Sequence, residues 1–266
     1  MTLTATVIAA LGVAGVLVGS FLNVVIYRVP LGKSVVRPRS SCPTCGNVLS
    51  ARDNVPIVSW IVLKGRCRRC GERIGMRYPL IEIVTGLLWA GLAWWALVVD
   101  GALPLLPLVL VLGSVGVSLA VIDLDHHRLP DQLVLPLYPI VLFGLAFPGV
   151  VSGEWPVWLT LGGGLLWLVG VGLPWLVTGG RGMGFGDVKL APVLGMVLGW
   201  WAFSAAATGL LISFLLGAVV GVAVLVSGRG DRKSAVPFGP FLLVGALVGL
   251  VIGPIVGSAY VEIFQL

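Results

Sequence analysis

Charge is scarce in this chain. Only 11 % of its 266 residues are Asp, Glu, Lys or Arg, against about a quarter in an average soluble domain. Hydrophobic residues make up 58 % and mean hydropathy is +1.07. No soluble fold of this length buries that much apolar surface. Soluble architectures are therefore excluded, and lipid is the solvent for most of the chain. The N-terminal segment does not read as a cleavable leader. The apolar run from about Leu3 to Ile26 is long enough to span a bilayer. Its positive charges follow it rather than precede it, and no small-residue cleavage site interrupts it. It reads as a retained first helix with its N-terminus outside.

Apolar stretches of spanning length fall at about 4–26, 80–99, 103–122, 133–150, 156–177, 188–201, 203–227 and 239–261. The predicted fold is an all-α polytopic membrane protein of about eight transmembrane helices. The sixth is the shortest, and its boundary with the seventh lies near Trp200 and Trp201. Basic residues are missing from one set of loops, those around Asp100, Glu154 and Trp201. Eleven of the 17 Lys and Arg lie from Arg28 to Arg77. The others are Arg128, Arg181, Lys189, Arg229, Arg232 and Lys233, and with eight helices all fall on one side. The positive-inside rule makes that side cytoplasmic. A miscount by one helix would scatter them over both faces. The net charge of +6 is thus a record of topology, with a contribution from anionic headgroups, and requires no nucleic-acid partner.

Glycine, by contrast, is abundant: 38 residues. Many recur at four-residue spacing, as in Gly15 and Gly19, Gly195 and Gly199, Gly217 and Gly221, and Gly245, Gly249 and Gly253. Such spacing puts small residues on one helix face and predicts close helix packing in lipid.

The one long polar segment, 29–77, contains Cys42-Pro-Thr-Cys45-Gly46 and Cys67-Arg-Arg-Cys70-Gly71. Two CxxC pairs can form a tetrahedral zinc site, the Gly after each allowing a tight knuckle. Arg66, Arg68, Arg69 and Arg73 would offset the charge of four thiolates. Two disulfides are the competing arrangement. They need an oxidising compartment, whereas the charge pattern places the loop in the reducing cytosol, which favours metal. A structural role is expected for that metal, in a loop too small to hold itself together.

Ionisable residues near membrane helices are costly and therefore mark function. Glu82 sits one turn into the second helix. Asp123, Asp125 and Asp131 lie between the third and fourth helices, and Asp187 lies in Gly184-Phe-Gly-Asp187 at the start of the sixth. Asp123 and Asp187 fall at cytoplasmic helix ends, at similar depth. Gly184 and Gly186 remove bulk, so that an extended peptide could approach Asp187. Two facing carboxylates share one proton, because both do not ionise easily. One then takes a proton from water while the other donates to a peptide carbonyl. Asp125 is a supporting or solvated residue, Asp131 an N-cap, and Lys189 a partner for a carboxylate or a phosphate headgroup.

These motifs together resemble those of the type IV leader peptidase (prepilin peptidase) family of intramembrane aspartic proteases. The resemblance runs through Gly19-Ser-Phe-Leu-Asn-Val-Val-Ile-Tyr-Arg28, the cysteine loop with Asn54-Val-Pro56 and Ser59-Trp60, and Tyr78-Pro-Leu-Ile-Glu82. It continues through Asp123 with Pro130-Asp131 seven residues on, Gly184-Phe-Gly-Asp187, and Pro237-Phe-Gly-Pro-Phe241. It implies catalytic roles for Asp123, rather than Asp125, and for Asp187. It also implies a multi-pass protein of the bacterial cytoplasmic membrane with its active site facing the cytoplasm. The expected substrates are prepilins or pseudopilins, cut after a leader glycine. Many relatives also methylate the new N-terminus with S-adenosylmethionine. The expected organisation is a first transmembrane helix over 1–28, a tetracysteine domain over 29–77 and a seven-helix peptidase domain over 78–266. A transporter would carry its carboxylates nearer the bilayer midplane and would have no need of the cysteine loop. A non-catalytic scaffold would tolerate Asn at both aspartates.

Overall fold

A computed structural model describes residues 2–42, 44–99, 101–153, 155–227 and 237–264. Asp100, Glu154, Arg229, Arg232 and Lys233, used above to orient the helices, lie outside the described residues. Ten helices form among those described: α1 (Thr2–Arg28), α2 (Val58–Val62), α3 (Arg77–Val98), α4 (Leu106–His126), α5 (Asp131–Val134), α6 (Leu137–Ser152), α7 (Val157–Thr178), α8 (Phe185–Trp201), α9 (Phe203–Val226) and α10 (Gly239–Phe264). No strand forms among the described residues. The only β pairing there is two isolated bridges in the cysteine loop.

Among the described residues, seven segments are long and apolar enough to cross a membrane. They coincide with seven of the eight predicted stretches. The fourth is divided by Pro136 into α5 and α6, since a proline cannot continue the hydrogen-bond ladder of the turn before it. The remaining stretch, the sixth in order, is α8, with 17 residues, a rise of about 25 Å against a hydrocarbon core of about 30 Å. Eleven of those 17 residues are buried, because α8 packs against α5, α6, α7, α9 and α10. A helix walled in by protein has no need to match the lipid thickness.

The chain divides into two compact units, Met1–Ser118 and Leu119–Leu266, with the break inside α4. In the first unit α1 packs along α3. A Cβ added at Gly15 would meet Trp89 Cβ at 2.7 Å, and one at Gly19 would meet Glu82 Cα at 2.7 Å. In the second unit α7 meets α8 where Gly163 touches Gly195 and Gly199, and α9 meets α10 where Gly209 touches Gly245 and Gly249. These are the small-residue contacts that the spacing predicts. Gly221 is an exception, since a Cβ there would meet nothing within 4 Å.

Candidate active site and metal centre

The cysteine loop belongs to the first unit. Cys42 N–H donates to Asn47 O (2.9 Å) and Gly46 N–H to Cys42 O (2.9 Å). The second knuckle repeats this, with Cys67 N–H to Glu72 O (2.8 Å) and Gly71 N–H to Cys67 O (3.0 Å). Gly46 and Gly71 sit at φ 66° and 74°, the left-handed region that glycine enters without a Cβ penalty. All four sulfurs lie within 4.8 Å of one another, and Cys42 Sγ and Cys70 Sγ are 3.8 Å apart. Tetrahedral zinc with Zn–S of about 2.3 Å sets sulfurs about 3.8 Å apart, so the four side chains fit that ion. Backbone N–H groups of Cys45 and Thr44 lower the Cys42 thiol to about 6. Those of Cys70 and Arg69 lower Cys67 in the same way. Arg69 reaches across to Asn47 Oδ1 (2.7 Å), bracing one knuckle on the other. Arg68 pairs with Asp53 (2.7 Å). The Ser50 hydroxyl and Arg68 together hold the Asp53 carboxyl below its ordinary value.

Glu82 is also in the first unit and is buried. Its Oε2 accepts the N–H of Ile57 (2.8 Å). Ile57 occupies φ 59°, a conformation costly for a β-branched residue. A buried carboxylate of α3 thus fixes the loop at the entry to α2.

The second unit brings together Asp123, Asp187, Gly184 and Gly186. Asp123 lies in the last turn of α4, which closes as His127 N–H donates to Asp123 O (2.8 Å). Asp187 lies in the first turn of α8, where the helix dipole favours a carboxylate. Each aspartate is 4 % exposed, and the two interact electrostatically. Each has one oxygen clipped by a glycine amide. Gly239 N–H donates to Asp123 Oδ2 (2.9 Å) and Gly184 N–H to Asp187 Oδ2 (3.1 Å). Asp187 Oδ1 is buried without a hydrogen-bond partner among the described residues. A bare buried carboxylate oxygen is costly, and this one is a vacant acceptor beside a second acid. Leu129 fits the glycines on both sides. A Cβ at Gly186 would stand 2.8 Å from Leu129 Cβ, and one at Gly239 would stand 3.2 Å from Leu129 Cδ2.

Asp125 is exposed, two residues beyond the buried Asp123. Asp131 is not the N-cap that its place after Pro130 predicts. Pro130 holds that position, and the Asp131 carboxylate grips Lys189 Nζ through both oxygens (2.7 and 2.9 Å). Lys189 also stacks over Phe185, 4.8 Å from the ring centroid. Its carbonyl accepts the Tyr138 hydroxyl (2.8 Å). The roles of Leu129, Tyr138 and the Gly239 amide are not apparent from residue type. The sequence signals near them are the Asp123 to Pro130-Asp131 motif, which contains Leu129, and the Pro237–Phe241 motif, which contains Gly239.

Two family models match the chain. The Bacterial Peptidase A24 N-terminal domain matches residues 13–96, and the Type IV leader peptidase family matches residues 110–226. A protein of Stutzerimonas stutzeri named prepilin leader peptidase/N-methyltransferase is 36 % identical over 283 residues, covering 96 % of this chain and 93 % of its own length. A protein of the same name from Pseudomonas aeruginosa is 36 % identical over 286 residues, covering 93 % and 91 %. One from Myxococcus xanthus is 42 % identical over 228 residues, covering 84 % and 64 %. No solved structure matches the chain. Relatedness at this level along nearly the whole chain, with both halves matched in order, means that the protein belongs to the type IV leader peptidase family.

Proposed function

We propose that this multi-pass inner-membrane protein is a prepilin leader peptidase that cuts type IV prepilins or pseudopilins at the cytoplasmic membrane face with Asp123 and Asp187. The observation that carries this reading is the pair of buried carboxylates, each held by one glycine amide, with Asp187 Oδ1 left as a bare acceptor. The ionised member of the pair removes a proton from water as the water oxygen bonds to the peptide carbonyl carbon. The protonated member gives its proton to the carbonyl oxygen. Collapse of the tetrahedral intermediate breaks the C–N bond as the proton taken from water passes to the amine nitrogen, and one hydroxyl proton of the intermediate returns to the other carboxylate, which re-forms the carbonyl and restores the singly protonated pair. The shared proton belongs to the pair, not to either residue. Gly184 offers its amide to Asp187, and the space expected at Gly186 for a substrate backbone is taken by Leu129. Lys189, Asp125 and Glu82 support the machinery without touching the reacting atoms. The relatives' names support a second activity, transfer of one methyl group from S-adenosylmethionine to the new N-terminal amine.

In this reading 29–77 is a cytoplasmic domain held by zinc on Cys42, Cys45, Cys67 and Cys70. Residues 1–28 are a helix with its N-terminus outside, and 78–266 form the peptidase domain. Nucleic acid has no part in it. The test is Asp123→Asn and Asp187→Asn, each expressed in membranes with a prepilin. Uncleaved prepilin beside normally inserted enzyme is expected, and normal processing by both variants would overturn the reading. Product mass with and without methyl donor separates cleavage from methylation.

A further inference from the structure

The short helix α2 carries an apolar face that nothing in its own unit covers. Val58, Ile61 and Val62 are 56, 62 and 67 % exposed. At 100° per residue they occupy one arc of about 100°. The opposite side is pinned to the loop. Ser59 is buried, with its hydroxyl donating to Arg52 O (2.8 Å) and accepting Val55 N–H (3.1 Å). Trp60 Nε1 donates to Ile74 O (3.0 Å), and its ring closes on Gly65, where a Cβ would stand only 2.9 Å away. The helix therefore cannot roll its apolar face inward. Its entry is fixed as well. Glu82, which holds Ile57 N–H, is five residues into α3, about 8 Å along a helix of membrane-spanning character. The entry to α2 is thus tied to the second turn of a helix of membrane-spanning length and composition. Arg52 precedes the helix in sequence and Lys64 and Arg66 follow it within four residues, all exposed.

We propose that α2 is a membrane-interface anchor, with Val58, Ile61 and Val62 seated among the acyl chains of anionic lipid and the flanking basic residues on the phosphates. An apolar helix face flanked in sequence by cations and tied to a spanning helix is an arrangement that binds an anionic lipid surface. It gives the cysteine loop a second attachment to the bilayer besides the ends of α1 and α3. Glu82 then has a purpose apart from the dyad, since it orients this face.

The test places the photo-crosslinker p-benzoylphenylalanine at Ile61 in the full-length protein, reconstituted in nanodiscs of phosphatidylcholine with or without phosphatidylglycerol. The same probe at Val48, another exposed apolar position of the loop (52 %), is the reference. After irradiation, intact-protein mass is expected to show lipid adducts severalfold more abundant at Ile61 than at Val48, and more abundant with phosphatidylglycerol present. Equal yields at the two positions overturn the proposal. So does a yield indifferent to phosphatidylglycerol, or a probe at Ile61 that captures added prepilin or a second copy of the chain in place of lipid. Val62 carries the probe on the same face if the Ile61 variant does not accumulate.

Discussion

Gly239→Ala tests the site geometry more sharply than loss of an aspartate does, because it leaves both acids in place. Gly239 opens α10, and its N–H donates to Asp123 Oδ2 at 2.9 Å. A Cβ there would lie 2.8 Å from that oxygen, whereas ordinary contact begins at 3.4 Å. The carboxylate must therefore retreat by about 0.6 Å, the difference between the two. Moving it that far lengthens the hydrogen bond to about 3.5 Å, where it ceases to be one. Retreat in the other direction is hindered by Leu129, whose Cδ2 the same Cβ would approach at 3.2 Å. A hydrogen bond to a charged group contributes about 1.5–3 kcal/mol. A reactive group misplaced by about 1 Å costs on the order of 10²-fold in rate. Together these give a fall of about 30- to 100-fold in kcat/KM for cleavage of a prepilin peptide. The assay is product formation by mass spectrometry with purified, monodisperse protein in detergent. Gly221→Ala is the control, since its Cβ enters open space, and it is expected to leave the rate unchanged. A Gly239→Ala enzyme as fast as Gly221→Ala would refute the idea that this amide sets the position of Asp123.

Other outcomes follow from the same contacts. Lys189→Met and Asp131→Leu should each lower stability by no more than about 1 kcal/mol, since the pair is only partly enclosed. Exchanging the two residues should restore whatever activity either single variant loses, and a double exchange no better than the singles would rule out direct pairing. Cys67→Ser should abolish bound zinc and open the loop to trypsin at Arg66 and Arg68, while unchanged metal content would remove the tetrathiolate site. The Cys42 pKa falls from 9.0 to about 6 in the folded loop. A depressed folded pKa means that the thiolate's contribution is complete above 9.0 and is lost as pH falls through about 6. Proton and metal compete for the same sulfurs, so metal measured after dialysis should be retained at neutral pH and released in acid, and a metal content indifferent to acid would contradict it. Gly163→Leu should force α7 from Gly195 and Gly199 and lower detergent thermostability by about 1–3 kcal/mol, seen as a lower midpoint in a thermal aggregation scan.

Much of the fold is legible because a bilayer imposes a coarse and repeated constraint. The predicted stretch 203–227 is α9 at Phe203–Val226, and 156–177 is α7 at Val157–Thr178. Proline and charge punctuate the ends of such helices, and hydropathy fills the middle. The one span short of membrane length, α8, follows a different rule. Its length answers to protein on every side, and hydropathy alone does not distinguish protein from lipid. The Asp131 position shows the limit of local reasoning from another direction. An Asp just after Pro reads as a cap, yet a lysine 58 residues later offers a better partner.

The aspartates themselves were recognisable because a carboxylate in an apolar chain needs a reason. What holds them was not, because the holders are backbone. Gly239 N–H reaches Asp123 across 116 residues of sequence, and any residue but proline carries such a donor. Only the missing Cβ distinguishes this position, and 38 glycines in a chain that also uses glycine for helix packing hide the few that serve a carboxylate. The two uses separate in space. At Gly163, Gly195 and Gly249 a Cβ would meet the backbone of a neighbouring helix, whereas at Gly239 it would meet an oxygen of Asp123 at 2.8 Å. The first kind sets how closely helices approach. The second kind sets where a proton can go, and replacing it with alanine should spare insertion while slowing chemistry.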